Sequence, residues 1–275
     1  MNAADLSAAV LSLVTILLIV GSFWFWGVFF RNVREGRDCV PLRFRWKPVR
    51  VPRFAVVLTL TLIAMYFQAS ASLPKEAGEM SVERIRLLVL GTLGEGVLVL
   101  GILLPALFLG ARSRPDLIRL GMRYDQPGQQ LKAGLLGLVA VVIPMGIVLL
   151  LTSPIRGTET EHPFLKLLRE TGAGNELLLI VLSAVVIAPL KEELMFRVVL
   201  QSWLEEFCPP GLAVTLAALT FAAIHGFPDS LALLPLAVGL GILYQKRRSY
   251  LAVVSMHALF NAYNVTATIV GSQAM

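Results

Sequence analysis

Charge is scarce in this chain. Asp, Glu, Lys and Arg together make up 15% of 275 residues, where a soluble domain carries about a quarter. With 56% hydrophobic residues and a mean hydropathy of +0.75, that shortage argues against a water-soluble globule. Cysteine is nearly absent too. Cys39 and Cys208 are the two present, too few for a disulfide-built scaffold. Histidine occurs three times and never as His-Glu-x-x-His, so the local zinc-protease signature is missing. No Gly-x-Ser precedes a distant His, which removes the basis for a rhomboid-type dyad. Tyr124-Asp125 has no Gly-x-Gly-Asp partner, which speaks against an aspartyl type. No short-period repeat or low-complexity linker divides the chain.

What the chain has instead is long apolar runs. About 20 apolar residues are needed to cross a hydrocarbon core of about 30 Å. Eight candidates occur, at roughly 6–30, 54–72, 87–109, 133–152, 176–200, 212–226, 229–245 and 250–270. The sixth and seventh are short and separated only by His225-Gly-Phe-Pro-Asp229. Pro105, Pro144, Pro189 and Pro235 fall inside runs, which membrane helices tolerate better than soluble ones. The expected fold class is therefore all-α: a polytopic membrane helical bundle of about eight transmembrane helices. It forms one domain over 1–275, with N-terminal spans in 1–175 and a motif-bearing core in 176–265.

Basic residues set the expected orientation. The 31–53 loop holds Arg31, Arg34, Arg37, Arg43, Arg45, Lys47, Arg50 and Arg53, and 110–132 holds five more. Lys246, Arg247 and Arg248 sit between the last two runs, while 73–86 and 153–175 hold three each, mixed with Glu. The positive-inside rule then places 31–53, 110–132 and 246–249 in the cytoplasm and both termini outside. No cleaved signal peptide is expected, because the first residues are not basic and the first run is long. Both cysteines fall near the cytoplasmic face, where a structural disulfide is not expected. The net charge of +6 and pI near 9.6 reflect this topology. No aromatic ladder accompanies the basic residues, so no nucleic-acid partner is expected. The 31–53 loop reads as a lipid-headgroup anchor. The expected location is a multi-pass integral protein of the cell membrane, with the bilayer as its surroundings.

Ionisable residues inside such runs mark functional sites. Glu192 and Glu193 lie in Ala-Pro-Leu-Lys-Glu-Glu-Leu-Met-Phe-Arg, His225 ends Phe-Ala-Ala-Ile-His, and His257 and Asn261 form His-Ala-Leu-Phe-Asn. Cys208-Pro-Pro-Gly211 breaks the chain between Glu192 and His225, almost midway. An antiparallel hairpin thus sets both at similar depth, about 20 Å from the turn at 1.5 Å per residue. Counting from Tyr250 puts His257 only about 10 Å deep. Pro189 can instead kink this helix, or residues 192–207 can lie along the interface.

Neighbouring helical side chains point about 100° apart, so the two glutamates cannot share one task. Glu193 is four residues before Arg197 and suits an ion pair. Glu192 then faces the cavity and suits a general base. His257 and Asn261, also four apart, can aim an imidazole N–H and an amide N–H at one oxyanion. They equally suit one metal ligand and its supporting residue, or hydrogen-bonded helix glue. A lone His225 also reads as a helix-terminal histidine bound to backbone carbonyls. Glu95, in Gly-Thr-Leu-Gly-Glu-Gly-Val, reads as a structural carboxylate whose partner the sequence does not reveal.

Glu192-Glu193-x-x-x-Arg197, Phe221-x-x-x-His225 and His257-x-x-x-Asn261 resemble the three motifs of the CPBP family, in the family order. That family includes type 2 CAAX prenyl endopeptidases, bacteriocin-processing enzymes, Abi-type immunity proteins and relatives of lysostaphin resistance protein A. The resemblance covers roughly 176–265; Val198 stands where many members carry Gly. It implies an intramembrane endopeptidase acting on a membrane-associated polypeptide, CAAX-type or bacteriocin-like. Glu192 with His225 would activate water, and His257 with Asn261 would stabilise the oxyanion. Glu193, Arg197 and Phe221 would support them. A zinc ion on Glu192, His225 and His257 and a metal-free glutamate mechanism are both compatible with these residues. The alternative functions are a non-catalytic immunity or partner-stabilising factor of the same fold, and a transporter.

Overall fold

The computed structural model describes residues 3–37, 48–72, 81–155 and 175–273. Cys39, Arg43, Arg45 and Lys47, and most of the 73–86 and 153–175 loops, lie outside the described residues. Among the described residues all regular structure is helical. Helix α1 is Ala3–Arg34, α2 Arg53–Ser72, α3 Val82–Gly110, α4 the short Arg114–Arg119, and α5 Pro127–Thr152. Helix α6 is the continuous stretch 175–204, α7 is Pro210–Ala223, α8 Asp229–Arg247 and α9 Tyr250–Gln273.

Every apolar run expected from the sequence becomes one of the eight long helices. Asp5–Arg34, Glu83–Gly110 and Pro127–Ile155 are long and apolar enough to cross a membrane by length and composition, and Arg53–Ala69 and Pro210–Ala223 are shorter apolar helices. Helix α6 carries Lys191, Glu192, Glu193 and Arg197 in its middle, which dilutes its apolar character. The helices start where local chemistry directs. Ser81 caps α3, its hydroxyl accepting from the Arg84 N–H at 3.3 Å. Pro127 and Pro210 open α5 and α7, at the position where a missing N–H costs nothing.

The bundle packs through small residues. A Cβ on Gly134 of α5 would meet Ser255 Oγ at 2.1 Å and the Ala252 carbonyl at 2.7 Å, and one on Gly137 would meet Met256 Sδ at 2.7 Å. Helices α5 and α9 therefore touch almost backbone to backbone, the arrangement that lets membrane helices gain dispersion contact. Helix α1 lies outside this pair. Its contacts include Trp26 Nε1 donating to Ala140 O at 2.9 Å and Thr15 Oγ1 bonded to Tyr263 Oη at 2.9 Å. Much of its apolar surface, including Leu13, Leu17 and Val20, is exposed.

The basic loops meet at one end of the bundle. Tyr250 N–H donates to Gly121 O at 3.0 Å, and Tyr244 Oη to Leu120 O at 3.0 Å. Val51 N–H donates to the Glu206 carboxylate at 3.0 Å, Ser249 binds Gln130, and Arg248 pairs with Glu205. The charge asymmetry of the sequence predicts these segments on one side; 120–130 and 244–250 touch directly, and Val51 reaches the adjoining 205–206 turn. The α8–α9 turn is itself buried, with Ser249 2% and Arg248 4% exposed.

Candidate active site

The site is built around an irregular helix. Within α6, Val181–Ile187 and Leu194–Gln201 are π-helical, and the turn Ala188–Glu193 between them is α-helical. Such π segments concentrate at functional sites. The first has an identifiable cause. Ala188 N–H donates five residues back, to Ser183 O. The next carbonyl in that register is Ala184 O, and its donor would be Pro189, which has no N–H. Asn261 of α9 fills the gap, its Nδ2 donating to Ala184 O at 2.7 Å. Residues 194–201 are buried in the core, so Pro189 does not turn them out of the bundle.

The two glutamates face apart. Glu193 is fully buried, with Oε2 accepting from Arg197 Nε at 3.1 Å and Oε1 accepting from His257 Nδ1 at 2.8 Å. Glu192 points elsewhere. Its Oε2 stands 4.0 Å from His225 Nε2 and 4.0 Å from His257 Nε2. His225 lies just past α7, where Gly226 takes φ +76° and turns the chain. Its Nδ1 donates to Phe221 O at 2.7 Å. Phe221 is fully buried among these groups. Its ring centroid lies 4.8 Å from that of His225, 5.7 Å from that of His257 and 5.2 Å from that of Phe196. The Arg197 guanidinium lies 5.1 Å from the Phe221 ring, a cation–π contact. Among the described residues its two terminal nitrogens have no hydrogen-bond partner. Val198 is fully buried in the same core.

Hydrogen-bond accounting fixes the ring faces. A carbonyl and a carboxylate can only accept, so both histidines carry a proton on Nδ1. When neutral, both then offer an Nε2 lone pair toward Glu192. Two imidazole acceptors thus stand 4.0 Å from one carboxylate oxygen, a spacing that a water, a proton or a cation could bridge. Imidazoles whose Nδ1–H is held by a carbonyl or a carboxylate are also what metal sites use. Ligands about 2.0–2.2 Å from a tetrahedral zinc stand roughly 3.3–3.6 Å apart. The 4.0 Å separations are slightly wider, and among the described residues no three such side chains reach metal-ligand spacing. The donor set fits zinc in kind, but the described geometry does not bring three ligands to binding distance.

The motif residues of the sequence analysis cluster here. Glu193 holds His257 as well as Arg197, which the sequence does not indicate, and Asn261 bonds α6 backbone through one of its two amide N–H groups, as the helix-glue reading expects. Glu95 also gains partners. Its Oε2 pairs with Lys191 Nζ at 2.8 Å and its Oε1 accepts from Tyr66 Oη. Lys191 was readable as an ionisable residue within an apolar run. Tyr250, whose hydroxyl donates to Leu190 O at 2.6 Å, carried no such signal.

Residues 174–263, about a third of the chain, match the family described as type II CAAX prenyl endopeptidase Rce1-like. No curated protein and no solved structure gives a significant match. The matched segment holds every motif residue from Glu192 to Asn261. Over this segment the chain is similar to the type II CAAX prenyl endopeptidases, and its long apolar helices are those of an integral membrane protein.

Proposed function

We propose that this CAAX-endopeptidase-type membrane protein hydrolyses a peptide bond in a lipid-anchored polypeptide, with Glu192 activating the water. The observation that carries this reading is the approach of both His225 Nε2 and His257 Nε2 to within 4.0 Å of Glu192 Oε2. A water there gives one proton to Glu192, and its oxygen adds to the scissile carbonyl. The C–N bond then breaks, and Glu192 returns the proton to the leaving amine. His257, lying between Glu193 and Glu192, donates from Nε2 to the oxyanion when it is an imidazolium. The second N–H of Asn261 is the supporting donor. Glu193, braced by Arg197, holds the His257 ring.

Zinc, if bound, would be held by Glu192, His225 and His257 and would polarise the carbonyl and acidify the water. The two versions place opposite demands on His257, which must be neutral to bind a metal and protonated to serve as a donor. The membrane setting and the matched family support a polypeptide substrate at the bilayer, and a prenylated C-terminus is the proposed form. Purified protein in proteoliposomes should cleave a quenched fluorescent peptide ending in a prenylated CAAX sequence faster than its unprenylated twin. Equal rates would remove the prenyl requirement, and no cleavage of either peptide would remove this substrate class. Loss of activity on chelation, restored by zinc, supports the metal version; indifference to chelator supports glutamate-activated water.

A further inference from the structure

The turn that carries Glu192 is held on both flanks. Ala188–Glu193 is six residues long and lies between two π segments. On one side Glu193 is tied to Arg197 and His257. On the other, Lys191 is 5% exposed and reaches Glu95 of α3 at 2.8 Å. Glu95 in turn accepts from Tyr66 of α2, and the Lys191 ammonium lies 4.9 Å from the Tyr66 ring. The approach of α3 that makes this possible depends on Gly96, where a Cβ would lie 2.4 Å from Ile187 Cγ2.

We propose that Tyr66, Glu95 and Lys191 form a positioning network that aims Glu192 at the two histidines. It rests on the hydrolase reading above and extends the working centre to α2 and α3, outside the matched residues 174–263. The side chains flanking Glu192 are pulled in different directions, since successive helical positions diverge by about 100°. With both anchored, the turn cannot rotate, and the Glu192 carboxylate stays between His225 and His257. Burial alone does not account for Lys191. An apolar residue would fill the same space, and replacing a buried ion pair by apolar groups is often neutral or stabilising.

That contrast supplies the test. The double variant Glu95→Gln/Lys191→Met removes both charges and leaves no buried ion unpaired. The network predicts a fall in kcat of up to about 100-fold, the scale of a 1 Å misplacement, with KM changed by less than about twofold. Lys191→Arg, which keeps the ion pair, should retain most of kcat. Hydrogen exchange should accelerate at backbone amides of 188–193 and not in the other helices. Wild-type kcat in the folded double variant overturns the proposal, as does a rise in KM alone, which would make these residues substrate contacts. Unchanged exchange at 188–193 overturns it as well. A wild-type protein that cleaves neither peptide removes the proposed substrate class instead, and the exchange measurement still decides whether the network holds the turn.

Discussion

At the scale of single residues, the separation of Glu192 from Glu193 was legible in the sequence. It follows from helical geometry and the position of Arg197 alone. Asn261 was not legible in the same way. Its bond to Ala184 O exists because Pro189 leaves a carbonyl without a donor in a π register, and periodicity does not reveal a π register. Asn261→Ala should therefore cost about 1–3 kcal/mol, the usual penalty for an unsatisfied buried polar group. In a Pro189→Ala background residue 189 regains an N–H, and the same substitution should cost clearly less. Thermal unfolding in detergent measures both. Equal penalties in the two backgrounds would show that Ala184 O is not the group Asn261 serves. Activity separates the second task of Asn261: an oxyanion donor is worth about 10²–10³ in kcat. That loss should persist in the Pro189→Ala background even where stability is regained.

At the scale of elements, helix positions were legible because long apolar runs and Pro or Gly breaks are local signals. Relative depth was not. Counting from Tyr250 set His257 well short of His225, yet both Nε2 atoms stand 4.0 Å from Glu192. The buried α8–α9 turn supplies the reason. Ser249, Arg248 and Gln245 are enclosed by neighbouring segments, so counting from the surface at Tyr250 underestimates the depth at which α9 begins. Such tertiary burial leaves no mark on a single helix. The glycines of α5 make the packing testable. Gly134→Ala forces a Cβ against α9 backbone and should cost at least about 1–3 kcal/mol as overpacking. Gly128→Ala, at a position with nothing within 4 Å of the added atom, should be neutral or slightly stabilising, since Ala is the better helix former. Comparable losses at the two positions would mean that close α5–α9 approach is not what holds the bundle.

At the scale of the whole molecule, one core runs from Val51 on the approach to α2 to Met256 in α9, joining the N-terminal helices to the motif-bearing ones. The basic loops converge at one end, and we propose that this end faces the cytoplasm. Lys246→Cys should then be labelled by an impermeant thiol reagent only from the cytoplasmic side, and Ser153→Cys only from the opposite side, in a background without native cysteines. The reverse pattern would invert the topology. The central claim, that Glu192 activates water for peptide hydrolysis, is tested most directly by single-turnover cleavage in proteoliposomes, comparing wild type with Glu192→Gln. Glutamine keeps the shape and cannot take the proton. The account predicts that wild type yields the cleaved peptide, and that a folded Glu192→Gln protein is slower by about 10²–10⁴-fold. Cleavage by the folded variant at the wild-type rate would contradict it.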